Sequence, residues 1–230
     1  MVKKTNRLLI IPARSGSKRI KNKNIINFAG KPIIFYSIEA ALKSKLFNKI
    51  HISSDSSSIL KLCEKKKIFT EFLRPKNLAN SKIGLDKVIM FVFDKFKKQN
   101  IIFDEYWCIL PCSPLINKTD LIESSKIFNK DSMHPLMTFS KFPVPVDWAY
   151  KKKGNKFFSI NPSKTKINSQ NFPSYFYETG NIYIYSLKHL KNKYQKNIFS
   201  GYELKRENAI DIDEKDDLDF AKKLYSLKNI

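Results

Sequence analysis

A chain of 230 residues with 42% hydrophobic and 13% aromatic side chains can bury a sizeable core, which excludes wholesale disorder. Its net charge of +22 resembles the footprint of a nucleic-acid binder, but lysine outnumbers arginine 38 to 5 and is spread along the chain. Bidentate readers of bases or phosphates favour arginine, so no nucleic-acid partner is expected. No apolar run approaches the roughly eighteen residues of a membrane span, and Cys63, Cys108 and Cys112 include no CxxC pair. Zinc and disulfide frameworks are thereby disfavoured, and a reducing cytoplasm is the expected compartment.

In chain order, RLLIIPA (7–13) reads as a buried strand and KPIIFYSIEAALKSK (31–45) as a helix with an apolar stripe at 34, 35, 38, 41 and 42. NKIHISSD (48–55) alternates as a strand, SSSILKLCEKKK (56–67) reads as a helix and FTEFLRP (69–75) as a further strand. LDKVIMFVFDKFKKQ (85–99) is a helix, EYWCILPCSPLI (105–116) a buried strand closed by prolines, and KTDLIESSKIFNK (118–130) a helix. This alternation predicts an α/β fold with a mainly parallel sheet and helices on both faces. The rhythm breaks at about 134–178, where Pro135, Pro143 and Pro145 precede a hairpin-like aromatic pair around KKKGNK. It resumes at GNIYIYSL (180–187) and closes with NAIDIDEKDDLDFAKKLYSL. One domain with an excursion at 134–178 is expected.

The stretch after the first strand, RSGSKRIKNKN (14–24), combines small residues with Arg14, Lys18 and Lys23. A loop there lies at the carboxyl edge of the sheet, where backbone N–H groups and cations can hold a polyphosphate. It matches neither GxxxxGK(S/T) nor GxGxxG. Near the other end, six of the 21 acidic residues fall within 211–219. Strand periodicity in AIDID puts Asp211 and Asp213 on one face. Two carboxylates so placed make an oxygen-only site suited to Mg²⁺ carrying phosphates. Asp216, Asp217 and Asp219 fit the start of a last helix, and capping is the competing reading for Asp213. His51, His134 and His189, in a strand, beside a proline and in a surface helix, read as structural, and no general base stands out.

RSGSKRIKNKN also resembles the signature RxGSKxxxxKN of the cytidylyltransferases that activate nine-carbon 2-keto sugar acids, the sialic acid family. The resemblance continues through FAGKPIIFYSIEAALKS, ISSDSSSI, LRPKNLANS, ILPCSPL, TGNIYIY and AIDIDEKDDLDFA, covering about residues 7–225. It implies a Rossmann-like three-layer nucleotidyltransferase in which the β-rich excursion forms the arm of a homodimer. Its reaction would join CTP and a nonulosonic acid, with Mg²⁺, to give a CMP-sugar and pyrophosphate. By resemblance, Ala13, Arg14, Ser15, Gly16, Ser17 and Lys18 surround the triphosphate, and Lys23 and Asn24 finish the loop. Arg74 and Ser81 contact the nucleotide, Pro111 and Ser113 line the floor, and Asp211 and Asp213 hold the metal. Arg14, Lys18, Asp211 and Asp213 are the catalytic candidates.

For the sugar, KINSQNFPSYFYETGNIYIY (166–185) departs from the arginine-bearing pattern of sialic and legionaminic enzymes. Ser169 and Gln170 match the pseudaminic acid branch, Glu178 stands for its acid, and Gly180 and Tyr183 are retained. Asn168, Asn171 and Tyr177 replace that branch's arginine, aspartate and histidine, so no obvious arginine accounts for the sugar carboxylate. The resemblance favours pseudaminic acid, with an N-acylneuraminate enzyme as the alternative. Cys112, where the family prefers threonine, leaves open a differently specific nucleotide-sugar enzyme.

Overall fold

The computed structural model describes residues 5–17, 19–191 and 197–228. Strand β1 (Arg7–Pro12) leads through a loop and a two-strand ribbon, β2 (Asn27–Phe28) and β3 (Lys31–Pro32), into α1 (Ile34–Ser44). β4 (Lys49–Ser53), α2 (Ser57–Glu64), α3 (Leu85–Lys98), β5 (Glu105–Ile109) and α4 (Lys118–Lys130) follow. After β6 (Leu136–Lys141) come the hairpin of β7 (Tyr150–Lys153) and β8 (Lys156–Ser159), then the long β9 (Phe176–Ser186). α5 (Leu187–Lys191), β10 (Ser200–Glu203) and α6 (Lys215–Lys228) complete the order.

Six strands form one sheet, β10-β6-β9-β5-β1-β4, in which only β9 runs antiparallel to its neighbours. β1 lies between β5 and β4, which pair both its edges, and helices cover both its faces, so a continuous apolar run is what such a strand requires. Its odd residues Leu9 and Ile11 join Trp107, Ile182 and Ile184 against α1, α2 and α4. Its even residues Leu8 and Ile10 join Tyr106 and Cys108 against Ile89, Val92, Phe93 and Phe96 of α3. The result is the expected three-layer, mainly parallel α/β arrangement. α4 begins and ends where the sequence places it. Asn117 accepts from the amides of Thr119 and Asp120, and Asp120 accepts from the amide of Asn117 at 2.9 Å, a reciprocal cap.

Five expectations need correction. The 69–75 segment forms no ladder; it is an irregular stretch tied to β4 mainly by side chains. β5 stops at Ile109, because Pro111 and Pro114 carry no N–H to continue a ladder. The excursion is narrower than 134–178, since β6 and the start of β9 belong to the main sheet. His189 is not a surface residue: it is 7% exposed, its Nδ1 accepts from the Ser186 amide at 3.0 Å, and Nε2 stands 2.9 Å from the Met133 carbonyl oxygen. Residues 209–213 are likewise outside any strand, yet Ile212 is buried between Asp211 and Asp213, so the alternation survives without a ladder.

A buried ion pair joins the first two central strands. Glu105 accepts from Arg7 Nε at 2.8 Å and from the indole N–H of fully buried Trp107 at 2.7 Å. Glu105→Ala leaves a guanidinium and an indole N–H without their acceptor, and about 3–5 kcal/mol of stability should be lost. Urea unfolding checks this; a loss below about 1 kcal/mol would show that the pair is not holding β1 to β5.

Candidate active site

At the carboxyl ends of β1 and β5 lies a cleft of about 470 Å³. The Ala13 amide still bonds to the Ser53 carbonyl at 2.9 Å, after which the chain leaves the sheet. The loop that follows contributes Arg14, Ser17, Arg19, Lys23 and Asn24; the 74–83 segment contributes Arg74, Asn80 and Ser81. Leu110, Pro111 and Cys112 form the floor, and Asp211 and Asp213 close the side. Leu78, Ile83, Leu85 and Val88 supply an apolar wall. Four cations, two carboxylates and a greasy flank therefore converge on one space.

Arg74 is the most constrained of these cations. It is 4% exposed, and neither Nε nor Nη2 has a hydrogen-bond partner among the described residues. Burial, together with the like charge of Arg14, lowers its pKa against the opposing pull of Asp55. Burial by itself would raise the Asp55 carboxyl, but the Ser15 hydroxyl and amide, its own amide and the Arg74 charge hold it below the ordinary range. Those Ser15 bonds are 2.7 and 2.8 Å long.

The acidic side is asymmetric. Asp213 accepts from Lys23 Nζ at 2.8 Å and pairs with Arg19 at 2.5 Å; these cations outweigh burial and lower its pKa. Asp211 has no such bonds among the described residues. Burial, then the like charge of Asp213, raises its pKa despite Lys23. Asp217 caps the last helix, accepting from the amides of Asp213 and Glu214 at 3.0 and 2.7 Å. The capping reading thus belongs to Asp217, while the Asp213 side chain faces the cleft.

Of the residues expected at the nucleotide, Arg14, Ser17, Lys23, Asn24, Arg74, Ser81 and Pro111 line the cleft with Asp211 and Asp213. Lys18 lies outside the described residues. Ala13 is fully buried in the core, and Gly16 is exposed without lining the cleft. Ser15 is turned to Asp55, and the Ser113 hydroxyl accepts from Asn181 Nδ2 at 2.9 Å. These last two brace the walls instead of presenting donors to a ligand. Asn24 is braced as well: Nδ2 donates to the Arg14 carbonyl at 2.8 Å, and Oδ1 receives the Cys112 thiol at 3.4 Å. Arg19, Asn80 and the anchor Asp55 escaped sequence reasoning, although each sits inside or beside a quoted motif.

Among the residues expected at the sugar, Gly180 has φ +71°, a backbone conformation that favours glycine. A Cβ there would meet Leu110 and the Tyr183 hydroxyl at 3.7 Å, so this bend touches the cleft floor. The Tyr183 hydroxyl donates to Glu178 at 2.6 Å; burial and that carboxylate raise its pKa. Ser169 and Gln170 occupy an exposed 3₁₀ turn and do not line the cleft.

A cation-rich cleft at the carboxyl edge of a mainly parallel sheet, with paired carboxylates opposite, defines a nucleotidyltransferase-type α/β enzyme. A family model described as "Cytidylyltransferase" matches residues 8–229, and the chain belongs to the cytidylyltransferase family. It is 34% identical over 225 residues to a pseudaminic acid cytidylyltransferase of Campylobacter jejuni, covering 96% of this chain and 97% of that one. It is 28% identical to an N-acylneuraminate cytidylyltransferase of Escherichia coli, covering 98% of this chain and 54% of the relative. A solved CMP:2-keto-3-deoxy-manno-octonic acid synthetase, complexed with CTP, shares the fold with a TM-score of 0.71 at 16% identity, covering 97% of this chain and all of that one.

Burial pushes the Cys63 and Cys112 thiols up to about 12 and raises Cys108 further. Thiolate is the reactive form. Ellman's reagent at pH 8 should therefore label none of the three in the native protein and all three in guanidinium. Rapid native labelling of Cys112 would show that the floor is more open and its thiol more acidic than this geometry requires.

Proposed function

We propose that the protein transfers CMP from CTP to the anomeric hydroxyl of a nonulosonic acid, releasing pyrophosphate, and that pseudaminic acid is its preferred acceptor. The observation that carries the nucleotide half is Arg74: a buried guanidinium with two unpaired nitrogens in a cleft already holding Arg14, Arg19 and Lys23. Such a site is short of negative charge and hydrogen-bond acceptors, and a triphosphate supplies both. The sugar half rests on the 34% identity to the Campylobacter jejuni enzyme and on Glu178, Gly180 and Tyr183 beside the floor.

In the reaction the anomeric oxygen forms a bond to the α-phosphorus as the bond to the bridging oxygen of pyrophosphate breaks, and the hydroxyl proton is released to solvent. Negative charge grows on the leaving group. Arg14, just past β1, and Lys23, held by Asp213 at the far end of the same loop, stabilise that charge. The apolar wall from Ile83 to Val88 excludes water from that side of the cleft.

Asp211 and Asp213 fit a divalent cation. Two carboxylates share one wall of the cleft, and the pKa of Asp211 is raised by desolvation and then by the like charge of Asp213, a repulsion that a divalent ion would relieve. Among the described residues there is no group of three or more candidate ligands. Substrate phosphates and water would therefore complete the shell, as Mg²⁺ usually requires. When bound, the ion would neutralise phosphate charge and acidify the attacking hydroxyl.

A homodimer fits the excursion, where Tyr150, Phe157, Phe158 and Tyr175 are all more than 40% exposed, an apolar surface a second copy would cover. Three free, buried cysteines fit a reducing cytoplasm, and no described helix is long and apolar enough to cross a membrane.

Because ionised Asp211 is disfavoured in the folded state, Asp211→Asn should raise the melting temperature at pH 7 without Mg²⁺. The same change should cut pyrophosphate release by about a hundredfold or more. Turnover within threefold of wild type would remove Asp211 from the machinery.

With CTP and Mg²⁺, pseudaminic acid should exceed N-acetylneuraminic acid by at least about tenfold in kcat/KM, because a pocket built for particular polar groups rejects analogues that leave them unpaired. Tyr183→Phe should raise KM for the sugar and leave KM for CTP unchanged. N-acetylneuraminic acid proving the better substrate, or a change confined to CTP, would overturn the assignment of the acceptor.

A further inference from the structure

The segment that carries Arg74 has no ladder to hold it, yet it must keep a buried cation in place. Its anchors are one backbone hydrogen bond and a set of side chains. The Ile52 amide donates to Thr70 Oγ1 at 3.3 Å, and the Arg74 amide donates to the Ser54 carbonyl at 2.7 Å. Between these points Glu71 pairs with Lys49 and stands 3.6 Å from Nδ1 of His51, a fully buried ring on β4. Phe72 lies against the same ring, with centroids 4.4 Å apart, and edge-on to Phe96 of α3 at 5.4 Å.

None of these side chains lines the cleft. Their combined effect is geometric: Phe72 packs on the His51 ring, Glu71 touches it without a hydrogen bond while pairing with Lys49, and Arg74 follows two residues later. The grip has work to oppose. The guanidinium is out of water beside Arg14, so a free segment would let it swing out to solvent, regaining hydration and chain entropy. The carboxylate is firmly charged: burial would raise it, but His51 and Lys49 bring Glu71 down to about 2.

We propose that His51, Glu71 and Phe72 are positioning residues, a clamp that pre-sets Arg74 for the nucleotide and so determines CTP affinity from outside the cleft. The proposal rests on the reading of Arg74 as a nucleotide contact. Pre-setting the arginine removes its ordering cost from the binding step, which is how a residue without ligand contact tunes affinity. The histidine on β4, first read as structural, thereby acquires a functional task.

The test compares CTP dissociation constants, by calorimetry on folded protein, for Glu71→Gln, His51→Leu, Arg74→Ala and the double variant Glu71→Gln/Arg74→Ala. Glu71→Gln keeps its shape on a partly exposed side chain and serves if the buried His51→Leu fails to fold. The clamp predicts a five- to tenfold weaker Kd for Glu71→Gln, a matching rise in KM for CTP, and no rise in KM for the sugar acid. It also predicts that Glu71→Gln adds little once Arg74 is gone, since the two act as one unit. Full additivity, or wild-type Kd in Glu71→Gln when Arg74→Ala is impaired, overturns the clamp alone. Wild-type Kd in Arg74→Ala overturns the nucleotide role of that arginine and the clamp with it.

Discussion

The cleft is arranged around a buried cation, Arg74, that Asp55 attracts through space without a direct ion pair. The guanidinium is 4% exposed, two of its nitrogens have no partner among the described residues, and Arg14 is nearby; the charge of a carboxylate acts against these costs. That carboxylate is Asp55, which also takes the amide and hydroxyl of Ser15. One acid therefore steadies the buried cation and fixes the first turn of the phosphate loop. The arrangement is complete as a fold and incomplete as an electrostatic system, and its deficiency has the sign and hydrogen-bonding character of a phosphate.

The acidic wall solves the opposite problem. Asp213 is neutralised from within by Lys23 and Arg19, and Lys23 belongs to the same loop as Arg14. The carboxylate thus pins the far end of the loop whose near end Asp55 holds. Asp211 is left as the uncompensated partner, and its raised pKa is the signature of that role. The net charge of +22 acts at longer range: it draws anionic substrates towards the protein, with an effect that fades as salt screens it.

Much of this was legible in the sequence. The helices expected at 85–99 and 118–130 lie at Leu85–Lys98 and Lys118–Lys130, because helical periodicity is a local signal; the Asn117/Asp120 cap emerges only in the structure. The 69–75 segment misled for a physical reason. Phe72 faces inward and Leu73 outward, as in a strand, but the inward side chains grip His51 and Phe96 without backbone pairing. Short apolar alternation cannot distinguish those two cases. The site was legible as residue types in order, hence Arg14, Lys23, Arg74, Asp211 and Asp213. Its braces were not, because the bonds of Asp55 to Ser15, Cys112 to Asn24 and Asn181 to Ser113 join residues far apart in the chain.

The two halves of the cleft differ in how they are held. Nucleotide-side residues sit on or next to β1, β4, β5 and α3, whose neighbours are the fully buried side chains of both core layers. Sugar-side residues sit where β9 enters the sheet, at a break in its register with β6 between Met137 and Phe139 and a left-handed Gly180. Beyond that break the chain runs into the exposed 3₁₀ turns and hairpin of the excursion. A rigid platform suits in-line transfer, where small displacements of a phosphate are costly. An irregular strand entry next to an exposed arm can change its side chains, or accept those of a second copy, without disturbing the sheet. On the proposed reading, the fold thereby separates the step that must be invariant, activation of the α-phosphorus, from the one that must discriminate between sugar acids.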